Sequence, residues 1–173
     1  PARHDGARSM NLDAQRAFDR YAGVPICAAL SLARRLLPQR APARPPRNIL
    51  VVMLSEMGSL VLAQPMFARL KERYPDARLH ILLLGKNREV VDMLGVVPDE
   101  NVLTIEDRSL VGFALECLRV LRRLRTTGID IVIDCELFSR ISAILSYLAG
   151  APVRVGFDRH TQEGLYRGSI VNR

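Results

Sequence analysis

Two short polar stretches hold the side chains able to do chemistry. Ser55, Glu56, Met57, Gly58 and Ser59 follow an apolar run at residues 49–54, and Asp134, Glu136 and Arg140 follow a second apolar run at residues 129–133. A carboxylate at the end of a strand can take a proton from a hydroxyl, while neighbouring hydroxyls and backbone amides hold the substrate in place. Glu56 and Glu136 are therefore the candidate bases, and Ser55, Met57, Gly58, Ser59, Asp134 and Arg140 are candidate binding and positioning residues. Plainer roles compete with these. Asp134 and Glu136 at a strand end can simply cap the turn that follows, and Arg140 is either a phosphate or sugar ligand or an ordinary surface residue.

Several chemistries are disfavoured by what surrounds these residues. Gly58 is the one glycine of its turn, so neither the dinucleotide fingerprint nor a Walker pattern is present. A phosphoacceptor domain would need an acidic cluster after the first strand, and none follows. Cys27, Cys117 and Cys135 are an odd, widely spaced set, and His4, His80 and His160 are scattered, which suggests no disulfide framework, no metal site and a reduced, cytoplasmic setting. No cofactor is expected.

The elements that must position the two stretches alternate along the chain. Residues 49–54 form a continuous apolar run rich in β-branched residues, as in a strand buried on both faces. A turn at residues 55–59 leads to a helix from Leu60, whose apolar positions Leu60, Ala63, Phe67 and Leu70 recur at helical spacing. Pro65 inside it should kink the helix, or mark a later start. Further strands are expected at residues 79–84, 102–105, 129–133 and 153–157. Between them lie helices at 87–94, capped by Asn87, at 109–125, and after Ser139 up to Gly150. Strand and helix in alternation predict an α/β fold, a Rossmann-like doubly wound parallel sheet in the order 3-2-1-4-5. Leu54 and Asp134 should then end neighbouring strands.

The chain has 173 residues and a net charge of +7, and residues 1–48 hold nine Arg against three Asp, or +6 of that charge. Residues 1–46 read as a leader, a hydrophobic and basic helix, and a Pro/Arg linker; residues 47–173 read as the folded domain. The apolar stretch at 21–37 is too short to span a bilayer. Either it packs against the domain or it lies on an anionic membrane surface at the inner face of the cytoplasmic membrane. Nucleic acid is not expected as a partner, because aromatic residues make up only 5% of the chain and no basic stripe interleaves with them. The Arg cluster at residues 119–125 fits a helix C-terminus, where cations complement the dipole.

The order and spacing of these segments resemble a known family. Ser55-Glu56-Met57-Gly58-Ser59 with Pro65, the stretch IVIDCELFSR at 131–140, the helix at 142–150 and Arg154-Val155-Gly156-Phe157 are similar to glycosyltransferase family 9, the ADP-heptose:lipopolysaccharide heptosyltransferases. The resemblance covers residues 47–173. It implies a GT-B architecture in which an N-terminal Rossmann-like domain receives a glycolipid or saccharide acceptor and a C-terminal domain holds the nucleotide-sugar, so that this chain would supply only the first. It also implies inverting transfer of a heptose-like sugar in lipopolysaccharide or related envelope synthesis, with the nucleotide-sugar as substrate rather than cofactor. The family's turn Asp, the catalytic base in heptosyltransferases, is Ser59 here. An unassisted hydroxyl is far too weak a base at neutral pH, so Glu56 ranks first as base and Glu136 second. The missing Asp also leaves open a non-catalytic module that binds a phosphorylated sugar or glycolipid.

Overall fold

The computed structural model describes residues 23–36, 45–54, 57–106, 109–136 and 140–157. Helix α1 spans Gly23–Leu36, followed by β1 (Asn48–Val52), α2 (Met57–Leu62), α3 (Gln64–Arg73), β2 (Arg78–Leu84) and α4 (Arg88–Leu94). Then come β3 (Val102–Ile105), α5 (Leu110–Thr127), β4 (Ile131–Asp134), α6 (Arg140–Leu148) and β5 (Val153–Gly156). Short 3-10 turns at Gly85–Asn87 and Asp99–Asn101 lead into α4 and β3.

All five strands pair in parallel in the order β3-β2-β1-β4-β5, as the sequence pattern predicts. The central strand aligns Ile49 with Leu79 on one side and with Ile131 on the other, and Val52 sits opposite Asp134. Leu54 and Asp134 thus lie at adjacent carboxyl ends. Alternate residues of β1 feed two cores, as they must in a sheet covered on both faces. Ile49 and Val51 join Leu60, Phe67, Ile81, Leu83 and Val91 beneath α2, α3 and α4. Leu50 and Val52 join Leu82, Ile105, Val120, Leu124 and Leu145 beneath α5 and α6.

The first helical segment departs from expectation in an informative way. It begins at Met57, not Leu60, so Met57, Gly58 and Ser59 belong to α2 rather than to the turn. It breaks at Ala63, and Pro65 falls in the first turn of α3, where its missing N–H would have had no helical acceptor anyway. Asn87 precedes α4 but makes no side-chain cap. Helix α5 ends as its sequence suggests, with Ser109 Oγ accepting from the Gly112 amide at 3.1 Å and Gly128 closing it at a φ of 72°.

Helix α1 packs on the outer side of α6. Cys27 is fully buried there with Ala143, and Leu30, Ile144 and Tyr147 pack around them. Ser31 tolerates the same burial because its hydroxyl donates to the Cys27 carbonyl at 2.7 Å. Of the two readings of the 21–37 stretch, packing against the domain is seen for the described residues 23–36. Among the described residues, no helix is long and apolar enough to cross a membrane.

Two substitutions test this architecture by urea denaturation. Phe67→Ala, at a side chain only 1% exposed, is expected to lower stability by about 3–5 kcal/mol. Gly128→Ala forces a Cβ into the left-handed region and is expected to cost about 1–2 kcal/mol.

Candidate functional site

In a sheet of this order the chain turns back between β1 and β4, and the carboxyl ends of those two strands open a crevice where ligands of such folds bind. Among the described residues, the side chains there come from the end of β1 and the start of α2, the 3-10 turn after β2, and the residues after β4 together with the start of α6. Ser55 and Glu56, the first-ranked base, lie outside the described residues.

Leu54, the residue just before them, is held by both of its backbone groups. Its N–H donates to Glu136 Oε1 at 2.5 Å, and its carbonyl accepts from Asn87 Nδ2 at 3.1 Å. Strand ladders end nearby, with the Cys135 N–H on the Val52 carbonyl at 3.1 Å and the Met53 N–H on the Leu82 carbonyl at 2.9 Å. Two side chains from either side of β1 therefore extend its hydrogen bonding past the sheet. Asn87 is fully buried, and its Oδ1 has no hydrogen-bond partner among the described residues. An orphaned buried acceptor is costly, which makes Asn87 a notable member of the edge.

Asp134 is buried and committed internally. Its Oδ2 accepts from the Ser142 hydroxyl at 2.9 Å and its Oδ1 from the Glu136 amide at 3.0 Å. The second bond is the turn-capping role open to a polar strand end. It also aims Glu136 back toward β1. Arg140, at the first position of α6, is only 4% exposed, which removes the surface reading. Met57 and Gly58 are exposed at the start of α2, and a Cβ on Gly58 would meet nothing within 4 Å among the described residues. Ser59 is half-buried, with its carbonyl accepting from the Ala63 amide.

The structure thus brings Glu136, Asp134 and the start of α2 to one sheet edge and adds Asn87 and Ser142, which sequence reasoning assigned no part in the site. Their signal was positional: Asn87 stands three residues past the end of β2, and Ser142 two residues into α6. Burial, with the carboxylates of Asp134 and Glu136 beside it, pushes the Cys135 thiol up to about 11. Among the described residues no group of His, Cys, Asp and Glu is arranged to hold a metal ion.

No family model and no curated protein sequence matches this chain. Solved structures do. The E. coli heptosyltransferase WaaC with ADP-2-deoxy-2-fluoro heptose superposes with a TM-score of 0.58 at 20% identity, over 73% of this chain and 41% of its own. The fold is the one seen in family 9 glycosyltransferases. E. coli ADP-heptose lps heptosyltransferase II aligns with a TM-score of 0.54 at 23% identity, over 68% of this chain and 33% of that one. The family 9 glycosyl transferase from Veillonella parvula gives 0.56 at 19% identity, over 64% and 32%. This chain therefore spans well under half the length of these heptosyltransferases and of the family 9 enzyme.

Two measurements probe the edge. Glu136→Ala leaves the Leu54 amide without its charged acceptor and is expected to lower stability by about 1.5–3 kcal/mol and to speed hydrogen exchange at that amide. Because only the thiolate reacts, alkylation of Cys135 by iodoacetamide at pH 8 should run about 100-fold slower than that of a free thiol and should rise as the pH approaches 11.

Proposed function

We propose that this chain is the acceptor-side domain of an inverting glycosyltransferase that moves a heptose-like sugar from a nucleotide-sugar to a hydroxyl of a lipopolysaccharide-type or related envelope glycoconjugate. The fold likeness supports the class. The observation that supports the reading is the Leu54 peptide held at the carboxyl end of β1 by Glu136 and Asn87, because Leu54 immediately precedes Ser55 and Glu56 in the sequence. There the Glu56 carboxylate takes the proton of the acceptor hydroxyl as its oxygen attacks the anomeric carbon, and the nucleoside diphosphate leaves from the opposite face in one displacement. Ser55, Ser59 and the amides near Gly58 position the acceptor.

Glu136 is better suited to holding than to base catalysis, since one carboxylate oxygen already accepts the Leu54 N–H. That commitment supports Glu56 ahead of Glu136 as the base. Donor binding falls to a second domain, consistent with solved structures of which this chain covers only 32–41%. A second reading, a binding module without catalysis, is favoured by Ser59 in the place of the family's Asp.

In a transferase that joins this domain to a nucleotide-sugar-binding one, Glu56→Gln is expected to lower kcat by about 10²- to 10⁴-fold, with acceptor binding little changed. Glu136→Gln should act mainly on stability. Loss of turnover in Glu136→Gln alone would reverse the ranking, and full activity in both variants would favour the binding module. Calorimetry on this chain alone should detect no tight binding of a nucleotide-sugar; tight binding would contradict the division of roles.

A further inference from the structure

At the amino end of the sheet, away from the crevice, one histidine is built into the layer beneath α5. His80 on β2 is only 7% exposed, and its ring Nε2 lies 3.3 Å from Asn48 Oδ1 on the neighbouring β1. Asn48 in turn donates through Nδ2 to the Thr127 and Gly128 carbonyls, at 3.2 and 3.4 Å, where α5 ends. Carbonyls only accept, so these two fix the Asn48 amide with its oxygen toward His80. The imidazole must then donate from Nε2. A single pair of side chains thus links β2, β1 and the last turn of α5.

The surroundings favour the neutral ring. Arg78, two residues earlier and so on the same face of β2, and Arg123 on α5 both bear on His80, and both are cations. Asp130 on β4 lies across β1, where its carboxylate accepts the amides of Arg47 and Asn48. Glu100, just before β3, offers Arg123 its carbonyl. Burial first, and then the two guanidiniums, hold the imidazole below its ordinary 6.5. We propose that His80 and Asn48 form an acid-sensitive latch, which ties the end of α5 to the central strands while the ring is neutral and loosens that junction when the ring takes up a proton. An unfolded chain titrates near 6.5 and so takes the proton more readily than the folded one. Stability is therefore full above that pH and is lost as pH falls from 6.5 toward the lower folded value. This inference stands apart from sugar transfer and needs no activity for its test.

The test combines ring titration by NMR with urea unfolding between about pH 7.5 and pH 5.5, a window above the ordinary carboxylate range. In the chain carrying His4→Gln and His160→Gln, the remaining imidazole signal belongs to His80, and its midpoint is expected below 6.5. In that background the folding constant should drop across the window by at most about tenfold, the limit set by one histidine of ordinary pKa in the unfolded chain. Adding His80→Gln, which can still donate to Asn48 but carries no charge, should abolish the drop. Arg123→Ala should instead raise the ring midpoint and shrink the drop. At pH 5.5 the Gly128 amide, bonded to the Leu124 carbonyl at 3.1 Å, should exchange faster with His80 present than in His80→Gln. A ring midpoint at or above 6.5, an undiminished drop in His80→Gln, or equal exchange of that amide overturns the proposal. The two ring midpoints decide it even where His80→Gln fails to fold.

Discussion

A backbone group buried at the end of a central strand must find a partner beyond the ladder or go without. In this chain that requirement falls on Leu54, and it is met from both sides, by a carboxylate that follows β4 and an amide that follows β2. The residues around the crevice depend on that arrangement. Asp134 directs the Glu136 amide, Ser142 holds Asp134 from α6, and Asn87 gives up helix capping to reach the Leu54 carbonyl. The edge is thus a connected set of polar groups, and removing one member leaves others without partners in a place where water is scarce.

Most of the architecture was legible in sequence because its signals are local. Apolar runs without alternation marked the doubly covered strands, and Ser109 and Gly128 marked the two ends of α5. Strand order followed from the β/α alternation and was observed. The start of α2 was misplaced because small and polar residues such as Gly58 and Ser59 suit a turn as well as a helical first turn. The roles of Asn87 and Glu136 were not legible for a different reason. Their acceptor and donor lie 33 and 82 residues away along the chain, and no periodicity reports a contact of that kind. Arg140 shows the same limit, since a guanidinium beginning a helix reads as solvated until the packing of α6 buries it.

The burial of α6 also explains its composition. The helix lies between the sheet and α1, and Ser142, Ala143, Leu145 and Ser146 are all buried along it. A helix covered on opposite sides cannot show a single apolar stripe. Ala143 packs against Cys27 of α1, while Ser142 turns to the sheet and donates to Asp134.

At the opposite end of β1 from Leu54, Asp130 Oδ2 accepts the amides of Arg47 and Asn48 at 2.8 and 3.1 Å. The segment leading into β4 and the segment leaving it therefore each grip β1, one near its beginning and one just past its end. A slip of one residue would already exchange the two cores. A slip of two would restore the faces, yet it would detach three amides from their carboxylates at once, at about 1–3 kcal/mol for each one left unmet. The paired carboxylates act as an alignment key, admitting the central strand in a single register even though its apolar residues alone would accept another.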